Sequence, residues 1–165
     1  MSLSDRRTFV LTLAALPLAA CGFTPLYRQG GAARALHGDI RFDLIESPEG
    51  FQLLESLESR LGRPGANPRY AGAITLAITA EQLILTAATS LSRITLKADA
   101  SVTVTEAATG HQVFAESFRE TIGYTSNTET LVTNTAERDA RAKLMQALAE
   151  QITRRLAASA GDWPE

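Results

Sequence analysis

The chain has 165 residues, of which 45% are hydrophobic and 21% charged, a balance that predicts one globular domain and argues against disorder. Its formal net charge is −2, or −3 with 14 basic and 17 acidic residues once residues 1–20 are removed, and this mild acidity gives no support to nucleic-acid binding as the main function. One cysteine and two histidines exclude an intramolecular disulfide and a zinc site built on several thiolates.

The first twenty residues have the features of a lipoprotein signal peptide. Arg6 and Arg7 supply positive charge, and residues 8–20 form an uncharged run that is too short for a bilayer span, which needs about 20 apolar residues. The run ends in Leu-Ala-Ala before Cys21, the pattern that the lipoprotein signal peptidase recognises. We therefore predict a signal peptide over residues 1–20 and a diacylglyceryl and N-acyl lipid on Cys21. The alternative is a buried core cysteine in an ordinary N-terminal helix.

The residues around the predicted cleavage site bear on export and localisation. Asp5 to Leu11 fits a twin-arginine signal, but a basic segment also fits general secretion, so the export route stays open. Gly22, rather than an aspartate, follows the cysteine, which favours the outer membrane over the inner one. Residues 21–37 are predicted to form a lipidated tether. Its apolar side chains could contact a partner, the membrane interface or the domain itself: Phe23, Leu26 and Tyr27.

The domain is predicted to begin with a strand and a helix. Residues 39–45 alternate polar and apolar side chains, as a half-buried strand does. Ser47 and Pro48 are typical of the N-cap and first position of a helix, which Gly62 would end. The apolar residues of this helix recur at helical spacing: Phe51, Leu54, Leu57 and Leu61. Residues 63–70 contain two prolines and a glycine and are predicted to be a loop.

Three strand-like segments follow, at residues 73–85, 93–105 and 112–124. In the second segment apolar and polar residues alternate without exception from Arg93 to Thr105, which predicts a strand with one face toward water. The short connections between the segments predict an antiparallel meander. A long helix is expected to end the chain, because an apolar residue recurs every four positions from Ala136 to Leu156. Its start is open, since capping patterns occur at both Ser126 and Asn134.

The element order β-α-β-β-β-α predicts an α+β fold. Two amphipathic helices can pack on one face of a four-stranded sheet and give a two-layer sandwich. We expect a single domain over residues 38–158 and a short C-terminal tail over residues 159–165.

The sequence contains little that suggests catalysis. Cys21 is used by lipidation, His37 lies in the predicted tether, and His111 follows a turn glycine, so no catalytic triad is expected. We predict that the protein is not an enzyme and needs no cofactor besides the lipid on its cysteine. Arg93 and Lys97 lie on the same face of one predicted strand and could hold an anionic group such as a lipid phosphate. The alternative is two ordinary solvated cations.

Several short motifs resemble one known family in their order and spacing. Residues 21–27, Cys-Gly-Phe-Thr-Pro-Leu-Tyr, resemble the mature N-terminus of the LPS-assembly lipoprotein LptE (rare lipoprotein B) in its alphaproteobacterial form. The C-terminal half contributes further matches: Thr109-Gly110, Ser117-Phe118-Arg119, Tyr124-Thr125-Ser126 and Ala136 to Ala140. The loop at residues 86–90 departs from the family, because it lacks the charged and glycine residues often found there in relatives.

This resemblance implies a specific role. Family members are outer-membrane lipoproteins that sit as a plug inside the β-barrel LptD, help this barrel to assemble, and bind lipopolysaccharide on its way to the cell surface. Their fold of two helices on a four-stranded sheet agrees with the order of elements above. The expected partners are therefore LptD, lipopolysaccharide and the outer membrane. The alternative is a lipid-anchored periplasmic binding module of another lipid-transport complex.

Overall fold

A computed structural model describes residues 36–86, 91–126 and 130–164. Cys21, the predicted signal peptide and nearly all of the predicted tether lie outside these residues. The described elements occur in the predicted order: β1 Ile40–Phe42, α1 Pro48–Leu61, β2 Tyr70–Thr86, β3 Leu91–Glu106, β4 Gln112–Ser126, α2 Thr130–Ser159 and a 3-10 turn at Ala160–Asp162. The predicted α+β fold with two helices and four strands is confirmed.

The four strands form one mixed sheet in the order β1-β2-β3-β4. β3 pairs antiparallel with both β2 and β4, which confirms the predicted meander. β1 pairs with β2 in parallel and over three residues only, from Ile40 opposite Tyr70 to Phe42 opposite Gly72. It is therefore shorter than the predicted strand at residues 39–45. After the amide of Asp43 donates to the Gly72 carbonyl, the chain leaves the sheet for the cap of α1.

The first helix begins and ends as predicted, and its buried face agrees in part with the predicted one, since Leu57 and Leu61 are buried but Phe51 is not. The Ser47 hydroxyl accepts a hydrogen bond from the Gly50 amide at 2.9 Å, and Gly62 follows the last turn with φ +80°, which favours glycine. The fully buried leucines are Leu53, Leu57 and Leu61. Phe51, expected on this face, is 54% exposed. The apolar residues of α1 form two neighbouring stripes, one through Phe51 and Leu54 and the other through Leu53. Helical periodicity alone does not show which stripe faces the core.

The second helix carries the predicted apolar stripe into the core. Ala140, Leu144, Leu148, Ile152 and Leu156 are all buried. Because the helix begins at Thr130, the capping pattern at Asn134 lies inside it and does not mark its start. This long helix packs against β3, β4 and α1. At about 1.5 Å per residue its 30 residues extend about 45 Å, close to the length of β4.

The core lies between the sheet and the two helices. One side of β3 supplies its centre, where Leu96, Ala98, Ala100, Val102 and Val104 are at most 2% exposed. Burial of each larger aliphatic side chain here stabilises the fold by about 1.5–3 kcal/mol. The core also continues into the predicted C-terminal tail. Trp163 is buried, with its ring centroid 4.9 Å from that of Tyr70 and 6.3 Å from that of Phe114.

Candidate functional site

The side of the sheet opposite the helices is a broad polar surface, which we call the open face. Its axis is the polar side of β3, where seven residues alternate with the core residues. They are Arg93, Thr95, Lys97, Asp99, Ser101, Thr103 and Thr105. The neighbouring positions of β2 and β4 are mostly small and exposed, namely Ala71, Ala73, Thr75, Ala77 and Thr79, and Ala115, Ser117 and Thr121. The open face is therefore rich in small and hydroxyl side chains, with one large exposed apolar residue, Leu83, opposite Arg93.

Most charges on the open face are paired across neighbouring strands. The Lys97 ammonium donates to Glu81 Oε1 at 2.6 Å, since residues 79 and 97 are cross-strand partners and Glu81 is two residues further along β2. Arg119 Nε donates to Asp99 Oδ1 at 2.6 Å between directly opposed residues of β4 and β3. These exposed pairs contribute at most about 1 kcal/mol each to stability, but they neutralise the charges locally.

Arg93 differs from the other cations of this surface. Its side chain is exposed, and within the described part of the chain it has no acidic partner. The guanidinium lies over Gly123 of β4, where a Cβ would stand 3.2 Å from one terminal nitrogen. A Cβ at position 123 would therefore require this side chain to shift by a few tenths of an ångström. Among the described residues Arg93 is thus the charge of the open face that has no opposite charge beside it.

The structure separates the two cations that the sequence placed together. Arg93 and Lys97 do share the open face, but they are four residues apart along β3, or about 13 Å between Cα atoms. This distance is too long for two side chains to hold a single phosphate without both leaning toward each other. Lys97 instead leans to Glu81, and Arg93 leans to Gly123. Their predicted contact with lipopolysaccharide stays a prediction, and Cys21 lies outside the described residues.

A second polar cluster joins the two helices on the other side of the sheet. Arg141 of α2 donates to Glu49 Oε1 at 2.7 Å and to Glu137 Oε1 at 2.8 Å. Burial alone would lower the pKa of Arg141, but its hydrogen bonds and charge pairs with Glu137 and Glu49 outweigh burial and raise it. Burial, followed by the Glu137 charge, raises the pKa of Tyr124 above 10.0, while Arg141 opposes this shift. The cluster therefore fixes α1 against α2 and holds its charges in place.

The two histidines are far apart, one beside the end of α1 and the other in the turn between β3 and β4. His37 packs against Gly62 at the end of α1, and His111 lies in the β3–β4 turn, where its amide donates to the Thr109 hydroxyl at 3.1 Å. Within residues 36–86, 91–126 and 130–164 no three His, Cys, Asp or Glu side chains cluster as metal ligands would. Neither of the helices described there is both long and apolar enough to cross a membrane.

Sequence reasoning missed the partners that set the charge state of the open face. Glu81 belongs to a segment that was interpreted mainly from its apolar side, and only the register of β2 against β3 brings it to Lys97. Gly123 was a possible signal, because a glycine inside a strand often marks a close approach of another group. The Glu49–Arg141 pair joins residues 92 positions apart, which no local pattern reveals.

Comparison with known proteins adds two findings. Residues 38–156 match the family model described as LptE, lipopolysaccharide-assembly. No curated protein matches the chain.

Solved structures share the fold. A Caulobacter crescentus structure aligns with a TM-score of 0.66 and 18% identity over 79% of this chain and 97% of its own. Lipoprotein B of Nitrosomonas europaea aligns with a TM-score of 0.57 and 15% identity over 83% and 91% of the two chains. A minor lipoprotein of Acinetobacter baumannii aligns with a TM-score of 0.51 and 16% identity over 72% of this chain and 88% of its own.

Proposed function

The chain belongs to the LptE family of lipopolysaccharide-assembly proteins, and we propose from this membership that it acts as the plug of the outer-membrane β-barrel LptD. In this proposal the lipid on Cys21 holds the chain at the periplasmic side of the outer membrane. The domain enters the barrel, helps it to assemble, and aids the passage of lipopolysaccharide to the outer leaflet. The domain itself acts by contact and carries out no reaction.

The observation that supports this proposal best is the open face. The interior of a large barrel is polar and water-filled, so a plug has to present polar and not apolar surface to it. The open face meets this requirement with small hydroxyl and alanine side chains, and its pairs Lys97–Glu81 and Arg119–Asp99 leave little net charge to desolvate.

Lipopolysaccharide contact is proposed at Arg93, which has the uncompensated charge of the open face. A guanidinium can form two parallel hydrogen bonds with one phosphate, which makes it suited to a phosphorylated lipid headgroup. Lys97 would contribute only by exchanging Glu81 for a lipid phosphate. About 13 Å between the two positions suits two separate anionic groups of one headgroup better than a single phosphate.

The test is a detergent pull-down of the lipidated full-length chain from its own membranes, with mass identification of what is bound. Recovery of LptD in about equal amount would support the proposal. An inner-membrane or periplasmic partner in place of LptD would establish the alternative of a binding module for another lipid-transport complex. The Cys21→Ala chain, expressed with a signal peptide that exports it, is the control, because it should lose membrane attachment but keep its fold.

A further inference from the structure

The outer edge of β2 is paired over only a small part of its length among the described residues. β2 has 17 residues, but β1 pairs only with Tyr70, Ala71 and Gly72. Within the described residues no strand lies beside the rest of β2 on that side of the sheet. At about 3.3 Å per residue, β2 extends about 56 Å, whereas the 14 residues of α1 reach about 21 Å. A helix of this length can cover less than half of the edge.

The hydrogen bonds of β1 identify which backbone groups point outward. The Tyr70 amide donates to Asp39, and the Gly72 carbonyl accepts from Asp43, so even-numbered residues of β2 face the edge. The next even-numbered residues continue this row without a partner among the described residues: Ile74, Leu76, Ile78, Ala80 and Gln82. We call this row the β2 edge. Counting only partners that the structure describes, these five residues leave five amides and five carbonyls unpaired, which an extended backbone satisfies best.

The side chains along the β2 edge add a requirement on the occupant. Ile74, Leu76 and Ile78 point to the helix layer and are only half-buried. No charged residue occurs from Ala71 to Ala80. Natural sheets usually protect an exposed edge with charges, prolines or a covering element, and this segment contains neither charge nor proline. The edge thus fits a strand that is uncharged and contributes apolar side chains at alternate positions.

The opposite edge of the sheet has the protection that the β2 edge lacks. The middle of β4 contains Glu116, Arg119 and Glu120, and α2 packs along this strand. Charges of this kind discourage edge-to-edge pairing. The difference between the two edges indicates that the absence of protection on β2 is specific to that side.

We propose that the β2 edge binds one extended strand of the LptD barrel by strand addition while the barrel is still assembling. This inference rests on the proposed function. A transmembrane β-strand has about 9–11 residues and no charge on its lipid side. The segment from Ala73 to Gln82 matches this length, and the edge-facing residues within it are uncharged, since Glu81 points to the open face. A closed barrel has no free strand, so the contact is confined to the period before its last seam closes. The domain would then act as a temporary neighbour for an unpaired barrel strand.

The test uses a photoreactive residue placed singly along β2 in the lipidated chain, with pulse-labelled LptD in cells. Thr75, Ala77 and Thr79 sample the open face beside the edge, and Ala80 and Gln82 sample the helix side. Strand addition predicts that both sides capture the same LptD strand, at positions that step by two residues along it. Capture should be strong with newly made barrel and at least about fivefold weaker with mature barrel.

Three other outcomes would overturn the inference while leaving the proposed function intact, provided that LptD still co-purifies. Capture from the open-face positions alone would indicate a face contact. Capture of a second copy of this chain would indicate edge-to-edge dimerisation. Capture of residues 22–35 of the same chain would indicate that its own tether occupies the edge. If LptD does not co-purify at all, the proposed function itself fails.

A matched pair of substitutions at one position isolates the backbone contribution. Ala80→Pro removes an edge-facing amide, whereas Ala80→Ser keeps the amide with a side chain of similar size. We expect the proline variant to lower the yield of assembled LptD about fivefold or more and the serine variant to leave it unchanged. Urea unfolding of both purified chains checks that the proline variant is folded. Equal LptD yields from two folded variants would contradict strand addition.

Discussion

The Lys97 ammonium and the Glu81 carboxylate lie 2.6 Å apart across β3 and β2, on a surface where Arg93 has no such partner among the described residues. Another anion therefore has to displace Glu81 before it can bind Lys97. The exposed fractions of its two side chains, 37% and 64%, indicate that water already screens it, so its contribution to folding is small. Its main effect is on the charge that the open face presents to a ligand.

Removal of Glu81 should therefore strengthen binding of an anionic lipid. We expect Glu81→Gln to raise the retention of purified lipopolysaccharide by the domain severalfold at low salt, and Arg93→Ala to lower it. Stability in urea should change by less than about 1 kcal/mol in both variants. Glu55→Gln, which removes an exposed carboxylate on α1, is the control for net charge. If Glu55→Gln raised binding as much as Glu81→Gln, general electrostatics and not the open face would explain the effect.

Substitution of Gly123 offers a test of Arg93 that leaves Arg93 itself in place. A Cβ at position 123 would stand 3.2 Å from the guanidinium, which is the mobile end of a long side chain and can move away. Gly123→Ala should therefore keep or slightly raise stability, within about 1 kcal/mol, since alanine restricts the unfolded chain. Crosslinking of lipopolysaccharide near Arg93 should fall. Unchanged crosslinking would show that lipid binding does not depend on the position of Arg93 over Gly123.

Arg141 should matter for stability because its two partners are partly buried. Its substitution by methionine leaves Glu49 and Glu137 near each other without a counter-charge, and their side chains are only 20% and 35% exposed. We expect Arg141→Met to lower the free energy of unfolding by about 1–3 kcal/mol. Lys143→Met, which removes an exposed i,i+4 partner of Asp139, should cost about 0.5 kcal/mol or less. Urea unfolding monitored by the single tryptophan can measure both variants.

The fold was largely predictable from the sequence, and the charge partners of the site were not. Alternation along β3 is a local signal, because each of its apolar residues faces the same core, and burial of Leu96 to Val104 follows from it. The apolar stripe of α2 is a local signal too, because its buried residues recur every four positions along one helix. Lys97–Glu81 and Arg141–Glu49 depend instead on strand register and helix placement, which tertiary packing sets. The exposure of Phe51 also depends on tertiary packing. Helical spacing alone placed this residue on the core side, because it cannot distinguish two adjacent apolar stripes of one helix.

Tyr124 predicts a loss of stability at high pH. Burial, with the nearby Glu137 charge, raises its pKa above the value of 10.0 for a free tyrosine, so the folded state holds the phenolic proton more tightly than the unfolded state. The stabilisation is fully present below pH 10 and is lost as the pH rises through the folded-state pKa. We expect Tyr124→Phe to reduce the fall in unfolding free energy as the pH rises above about 10. An identical pH slope in the variant would contradict this assignment.

The C-terminal residues make the sharpest contrast with the sequence-based expectation, which placed residues 159–165 outside the domain as a tail. Trp163 is 8% exposed and packs edge-on against Tyr70, whose hydroxyl donates to the Pro164 carbonyl at 3.0 Å. A lone tryptophan after a helix that ends in alanines and serine gives no periodic signal, so its burial could not be inferred.

We expect Trp163→Ala to lower the unfolding free energy by about 3–5 kcal/mol. Asp162→Ala, one residue earlier and exposed, should change it by less than about 0.5 kcal/mol. Because Tyr70 begins β2, loss of Trp163 should also raise amide hydrogen exchange in the β1–β2 pairing. Equal exchange in the two variants would show that the Trp163–Tyr70 contact does not stabilise this pairing.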